Sequence, residues 1–140
     1  MPLNCTGAIL TLASRQHDLL VTFYEQLFQQ KPLIYRPNVY AEFKLPDLRL
    51  GIFQSEKRLT MGGKATFNDK SHGVVDEASP VIRSVSLCLE VRTLELAIEH
   101  LGSLGYPPPG EIRVASHGRE IDAYDPEGNW LILYQAAPPA

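Results

Sequence analysis

Leu48-Arg49-Leu50-Gly51-Ile52-Phe53-Gln54 and Trp130-Leu131-Ile132-Leu133-Tyr134-Gln135 are nearly the same phrase written twice in one chain. Each reads as a strand whose residues alternate between two faces, and each ends aromatic-then-Gln. Upstream of each lies the same succession: a strand, an amphipathic helix, then two further strands. The first copy begins at about Thr6 and the second at about Ile82. Two copies of one β-α-β-β-β unit predict an α+β fold and narrow where a ligand would sit.

Working back from the first copy, residues 8–13 read as a strand with Leu10 and Leu12 on one face and Ile9 and Thr11 on the other. Ser14 is the predicted helix N-cap, with Asp18 in the first turn. Leu20, Phe23, Tyr24, Leu27 and Phe28 recur at helical spacing, and Pro32 closes the helical region. Strands are predicted at 33–36, 39–44 and 48–54, joined by turns at Pro37-Asn38 and Pro46-Asp47. In the second copy Val85, Leu87 and Leu89 alternate with Ser84, Ser86 and Cys88. Thr93 is the predicted cap of a helix whose stripe is Leu94, Ala97, Ile98, Leu101 and Leu104. Gly105 and Pro107 end it. Strands follow at 112–116, 119–124 and 130–135. The predicted organisation is one domain over 1–140, with units at 6–55 and 81–136 and a connecting segment at 56–80. That segment reads as a linker or as a loop folding over a site.

Composition bounds the rest. A chain of 140 residues, 44% apolar and 21% charged, reads as an ordinary globule of one domain or of two small, intimately packed halves. No apolar run is long enough to cross a bilayer, and the N-terminus lacks a basic-then-apolar signal segment, so a soluble cytoplasmic protein is the expectation. A net charge of −3 with scattered Lys and Arg argues against nucleic acid. Cys5 and Cys88 stand alone and imply neither a disulfide framework nor a metal cluster.

Asp125-Pro126-Glu127-Gly128-Asn129, running into the strand at 130–135, resembles the signature of the glyoxalase / bleomycin-resistance / extradiol-dioxygenase superfamily, the vicinal oxygen chelate fold. The Phe23-Tyr24 pair and Gly118-Arg119 are similar to that family too, and the likeness covers residues 6–135. It implies two tandem units forming curved mixed sheets around a concave cleft, often completed by a second subunit, so a homodimer is expected. The motif itself reads as a tight turn rather than an active site.

Metal-dependent members of that superfamily carry His or Glu on the first and last strands of each unit. By the resemblance those positions fall at Ile9, Gly51, Ser86 and Ile132, none of which ligates as His or Glu does. No metal and no cofactor is therefore expected. His17 and His100 read as helix-surface residues, and His117 as a turn residue near a cleft mouth or simply on the surface. A cation held by Glu42, Glu120 or Asp122 is a weaker alternative.

The strand faces opposite the apolar ones carry Tyr40, Glu42, Lys44, Arg49, Phe53, Ser86, Asp122, Tyr124, Trp130 and Tyr134. These are the candidate ligand-binding residues, since aromatics mixed with opposite charges fit a ligand cavity better than a dry core. No catalytic residue is assigned. Glu42 or Asp122 is a candidate general base, against plain ion pairing of Glu42 with Lys44 or Asp122 with Arg49. Cys88 lacks an activating partner and reads as a packing residue. Gly62-Gly63-Lys64 lacks the spacing of a phosphate loop. Three functions follow: metal-independent binding of a small molecule; a lyase, isomerase or dioxygenase on a small oxygenated substrate; or a dimeric scaffold with a vestigial cleft.

Overall fold

The computed structural model describes residues 3–55 and 84–139. The chain divides into two compact units, Met1–Val81 and Ile82–Ala140. The segment at 56–80, with Gly62-Gly63-Lys64 and His72, lies outside the described residues.

The first unit runs β1 (Leu10–Ser14), α1 (His17–Phe28), β2 (Ile34–Arg36), β3 (Tyr40–Leu45) and β4 (Leu48–Gln54). Its sheet order is β1-β4-β3-β2, with β1 parallel to β4 and the other pairs antiparallel. The second unit runs β5 (Leu87–Glu90), α2 (Leu94–Ser103), β6 (Arg113–Ala115), β7 (Gly118–Tyr124) and β8 (Trp130–Ala136). Its order is β5-β8-β7-β6, with the same senses of pairing. The α+β reading with duplicated β-α-β-β-β units is therefore met. Ser84, Val85 and Ser86 precede β5 rather than belonging to it.

One face of each sheet is the core. Ala41, Phe43 and Leu45 of β3 and Leu50 and Ile52 of β4 are buried beneath α1, whose Leu20, Phe23 and Tyr24 are buried as the helical spacing requires. Phe28 meets Phe43 edge-on at 5.6 Å between ring centres. In the second unit Leu87, Ile121, Ala123, Leu131 and Leu133 are buried with Leu94 and Leu101 of α2. Each large apolar side chain so buried stabilises by about 1.5–3 kcal/mol.

The helix caps differ from the sequence reading, and the difference explains the repeated terminal glutamine. Ser14 ends β1, and the N-cap position of α1 is Gln16, whose side chain makes no cap bond. Instead the His17 N–H donates to Gln54 Oε1 at 3.1 Å. Thr93 holds the N-cap position of α2 without a side-chain cap bond, and the Leu94 N–H donates to Gln135 Oε1 at 2.7 Å. Because the first and last strands of each unit run parallel, the last residue of the pattern arrives beside the start of the helix. There its amide oxygen satisfies a donor that no intrahelical carbonyl can reach.

The turns follow local chemistry. Asn38 and Asp47 adopt the left-handed conformation, each with φ 61°, which their short polar side chains tolerate. In the five-residue motif, Asp125 is buried and its Oδ1 accepts the N–H groups of Glu127 and Asn129, both at 2.9 Å. Its Oδ2 accepts Asn129 Nδ2 at 2.7 Å, and Gly128 supplies φ 84°. The motif is a self-bonded turn, as its residues imply. No helix among the described residues is long and apolar enough to cross a membrane.

Candidate ligand-binding faces

The face of each sheet turned away from its helix carries the polar and aromatic residues, as period-2 alternation requires. In the first unit Tyr40, Glu42 and Lys44 of β3 lie across from Phe53, Gly51 and Arg49 of β4. Glu42 is 5% exposed, and it accepts the Tyr40 hydroxyl at 2.8 Å and Arg49 Nη1 at 3.5 Å. Burial, then the Glu42 hydrogen bond, pushes the Tyr40 phenol above its usual range, so it stays protonated and donates. Lys44 is exposed and outside this cluster; Arg49, from the neighbouring strand, is the cation on Glu42. The Glu42–Lys44 pairing read from the sequence is thus replaced. Two residues apart on one strand, those side chains point the same way, whereas β4 brings the guanidinium in from the side.

Gly51, one of the strand positions tested for a metal ligand, is covered. A β-carbon built there would stand 2.6 Å from the Tyr40 hydroxyl. The phenol occupies the space into which a ligand-bearing side chain would grow.

In the second unit Asp122 accepts Trp130 Nε1 at 2.9 Å and pairs with Arg113 through two bonds of 3.0 and 3.1 Å. Arg113 also holds Glu120, with its shorter bond at 3.0 Å. The Arg113 bonds, then Trp130, hold the Asp122 carboxyl below its ordinary range despite partial burial. Arg113, rather than Arg49, is thus the partner of Asp122. Sequence reasoning missed it because its strand is three residues long and only the register, Arg113 opposite Glu120, reveals its face. Tyr124 lies opposite Trp130, and Tyr134 lies opposite Glu120 with its hydroxyl on the His117 carbonyl at 2.9 Å. Ser86 is half-buried just before β5.

Superposing the repeats by register matches Glu42, opposite Gly51, with Asp122, opposite Ile132. Each unit therefore sets one carboxylate against the strand position where the resemblance looks for a metal ligand. A donor from two residues earlier on the last strand, Arg49 or Trp130, holds each one.

Other sequence readings change. His17 is not on the surface. It is 1% exposed, with Nε2 against the Ile52 carbonyl at 3.0 Å and its ring stacked on Tyr35. At the start of α1 the His17 side chain is turned inward and buried, while Asp18 and Leu19 beside it stay exposed. His100 is half-buried in the last turn of α2, and His117 is exposed. Cys88 is exposed on the open face rather than packed, and partial desolvation by its neighbours, followed by Glu120 and Glu90, pushes its thiol upward, away from the nucleophilic thiolate. Among the described residues no three His, Cys, Asp or Glu side chains gather as a metal site would need.

No protein-family model matches the chain, and no curated protein matches it in sequence. Solved structures do match in fold. A glyoxalase/bleomycin resistance protein/dioxygenase family enzyme from Burkholderia phytofirmans PsJN aligns over 92% of this chain and 97% of its own, with TM-score 0.69 and 13% identity. A fosfomycin resistance protein from Listeria monocytogenes aligns over 96% of both chains, with TM-score 0.66 and 15% identity. A lactoylglutathione lyase from Agrobacterium tumefaciens aligns over 94% of this chain and 95% of its own, with TM-score 0.61 and 15% identity. The chain has the glyoxalase / bleomycin-resistance / dioxygenase fold.

Proposed function

We propose that this protein is a glyoxalase/bleomycin-resistance-like homodimer that binds a small molecule on its open sheet faces without a resident metal ion. One observation carries the reading. The four strand positions tested for metal ligands are Ile9, Gly51, Ser86 and Ile132, and the Tyr40 phenol lies over Gly51. The same faces offer Tyr40, Phe53, Trp130 and Tyr134 as flat contact surface, with Arg49, Lys44, Glu42 and Asp122 as polar anchors. Tyr40 and Trp130 are already fixed by their bonds to Glu42 and Asp122, which lowers the entropy lost on binding.

A lyase, isomerase or dioxygenase reading would have to run acid–base chemistry from these carboxylates. Arg113 makes Asp122 a weak base by holding its carboxyl low, which leaves Glu42 to supply that chemistry alone.

The test is metal analysis of protein purified without chelator, with thermal-shift titrations of Ni²⁺, Zn²⁺, Mn²⁺ and Fe²⁺. The expected result is no stoichiometric metal, with thermal shifts produced instead by planar or zwitterionic compounds and lost in Trp130→Ala. Stoichiometric metal that disappears in Glu42→Ala or Asp122→Ala would sink the reading. Light scattering checks the dimer.

A further inference from the structure

The two open faces differ in charge. Among the described residues, that of the first unit carries Arg36, Lys44 and Arg49 against Glu42 alone. That of the second carries Arg113 against Glu90, Glu120 and Asp122. In the first unit Lys44 and Arg49 stand directly opposite each other in register, an arrangement of like charges that costs stability and that the fold does not require.

The arginines differ in how fully they are used. Arg113 spends its guanidinium on two carboxylates, and Arg119 on Glu95, at 2.7 and 2.9 Å, and Gln135. Among the described residues Arg49 makes a single long bond, 3.5 Å to Glu42, and its side chain is 41% exposed. Glu42, buried and fixed by Tyr40, orients the guanidinium from one side. Gly7 passes on another side with no side chain, and a β-carbon there would come to 3.0 Å from Nη2. A planar fork of donors, oriented by Glu42 at one corner, flanked by Gly7 at another and still partly exposed, is suited to take two oxygens of one group.

We infer that the open face of the first unit selects an oxyanion, a carboxylate or phosphate-type group on the ligand, and that Arg49 receives it. The inference rests on the binding reading above and adds the chemical class. Tyr40 fills the space into which a side chain at Gly51 would grow, and Arg49, two residues along β4 from Gly51, supplies positive charge on this face.

The experiment is calorimetric titration of the full chain with benzoate, inorganic phosphate and benzylamine, the last matching benzoate in shape with opposite charge. Benzoate and phosphate bind more tightly than benzylamine, and Arg49→Gln weakens both anions at least tenfold, while Lys31→Gln, at an exposed cation paired with Glu25, changes them less than twofold. If Arg49→Gln fails to fold because Glu42 loses its partner, the double variant Glu42→Gln/Arg49→Gln removes that charge and gives the same loss. Equal binding of benzoate and benzylamine, binding of neither anion, or anion affinity unchanged by removal of Arg49 overturns the inference. Tight binding of cationic or neutral planar compounds overturns it and leaves the binding reading standing. Stoichiometric metal removes the reading beneath it.

Discussion

At the scale of the residue, partners rather than identities decide what each side chain does. Asp125 bonds three donors in its own turn, so its role is structural. Asp125→Ala leaves those donors in a partly buried turn and costs about 1–3 kcal/mol, read as a lower midpoint in urea with ligand affinity unchanged. Gly118 has φ 152°, and a β-carbon there would run into the Gln135 carbonyl. Because backbone cannot yield as a side chain tip does, Gly118→Ala is expected to destabilise by at least about 2 kcal/mol in the same assay. Gly51→Ala meets first the end of the Tyr40 side chain, which can yield by giving up its bond to Glu42 where backbone cannot, so its cost is smaller. Cys88 faces solvent with its thiol pushed upward, so iodoacetamide modifies it more slowly at neutral pH than an unstructured cysteine peptide; mass spectrometry gives the rates.

At the scale of the element, each helix is capped from another strand. Gln54 reaches His17 across 37 positions and Gln135 reaches Leu94 across 41. Gln54→Ala and Gln135→Ala should each lose about 1 kcal/mol of stability in denaturant titrations, the usual worth of an N-cap. The two caps share no partner, so the double variant should lose the sum. Substituting Ser14 or Thr93 would test the cap positions read from the sequence. Removing the Thr93 hydroxyl should change little, since it makes no cap bond. The element types and the faces of the strands were legible because period-2 alternation and helical spacing are local properties of the chain. The caps were not, because a strand's end meets a helix's start only once the parallel pairing exists.

At the scale of the whole molecule, acid stability follows from the arginine-held carboxylates. Arg119 hydrogen bonding lowers Glu95 from 4.5 to about 2, and Arg113 lowers Asp122. A carboxylate depressed in the folded state contributes stability that is fully present above its unfolded value and is lost as pH falls through the folded value. Stability should therefore decline between about pH 4.5 and 2 through Glu95, and Glu95→Gln should flatten that limb of a midpoint-versus-pH curve. Glu95 is largely solvent-exposed, so the flattening should shrink in high salt.

The sequence by itself determined the duplication, the α+β class, the turns and the side of each sheet on which Tyr40, Glu42, Arg49, Asp122 and Trp130 stand. Those follow from spacing along the chain and from backbone preferences that act over a few residues. Only the tertiary structure decided that Glu42 takes Arg49 and Asp122 takes Arg113, that Tyr40 closes over Gly51, and that His17 is buried. Alternation gives a residue its side of the sheet but not its lateral neighbour. Neighbours are set by strand order and register, which depend on pairing between distant segments. A carboxylate's partner, and with it the chemistry of the face, is therefore settled only when the strands are laid side by side.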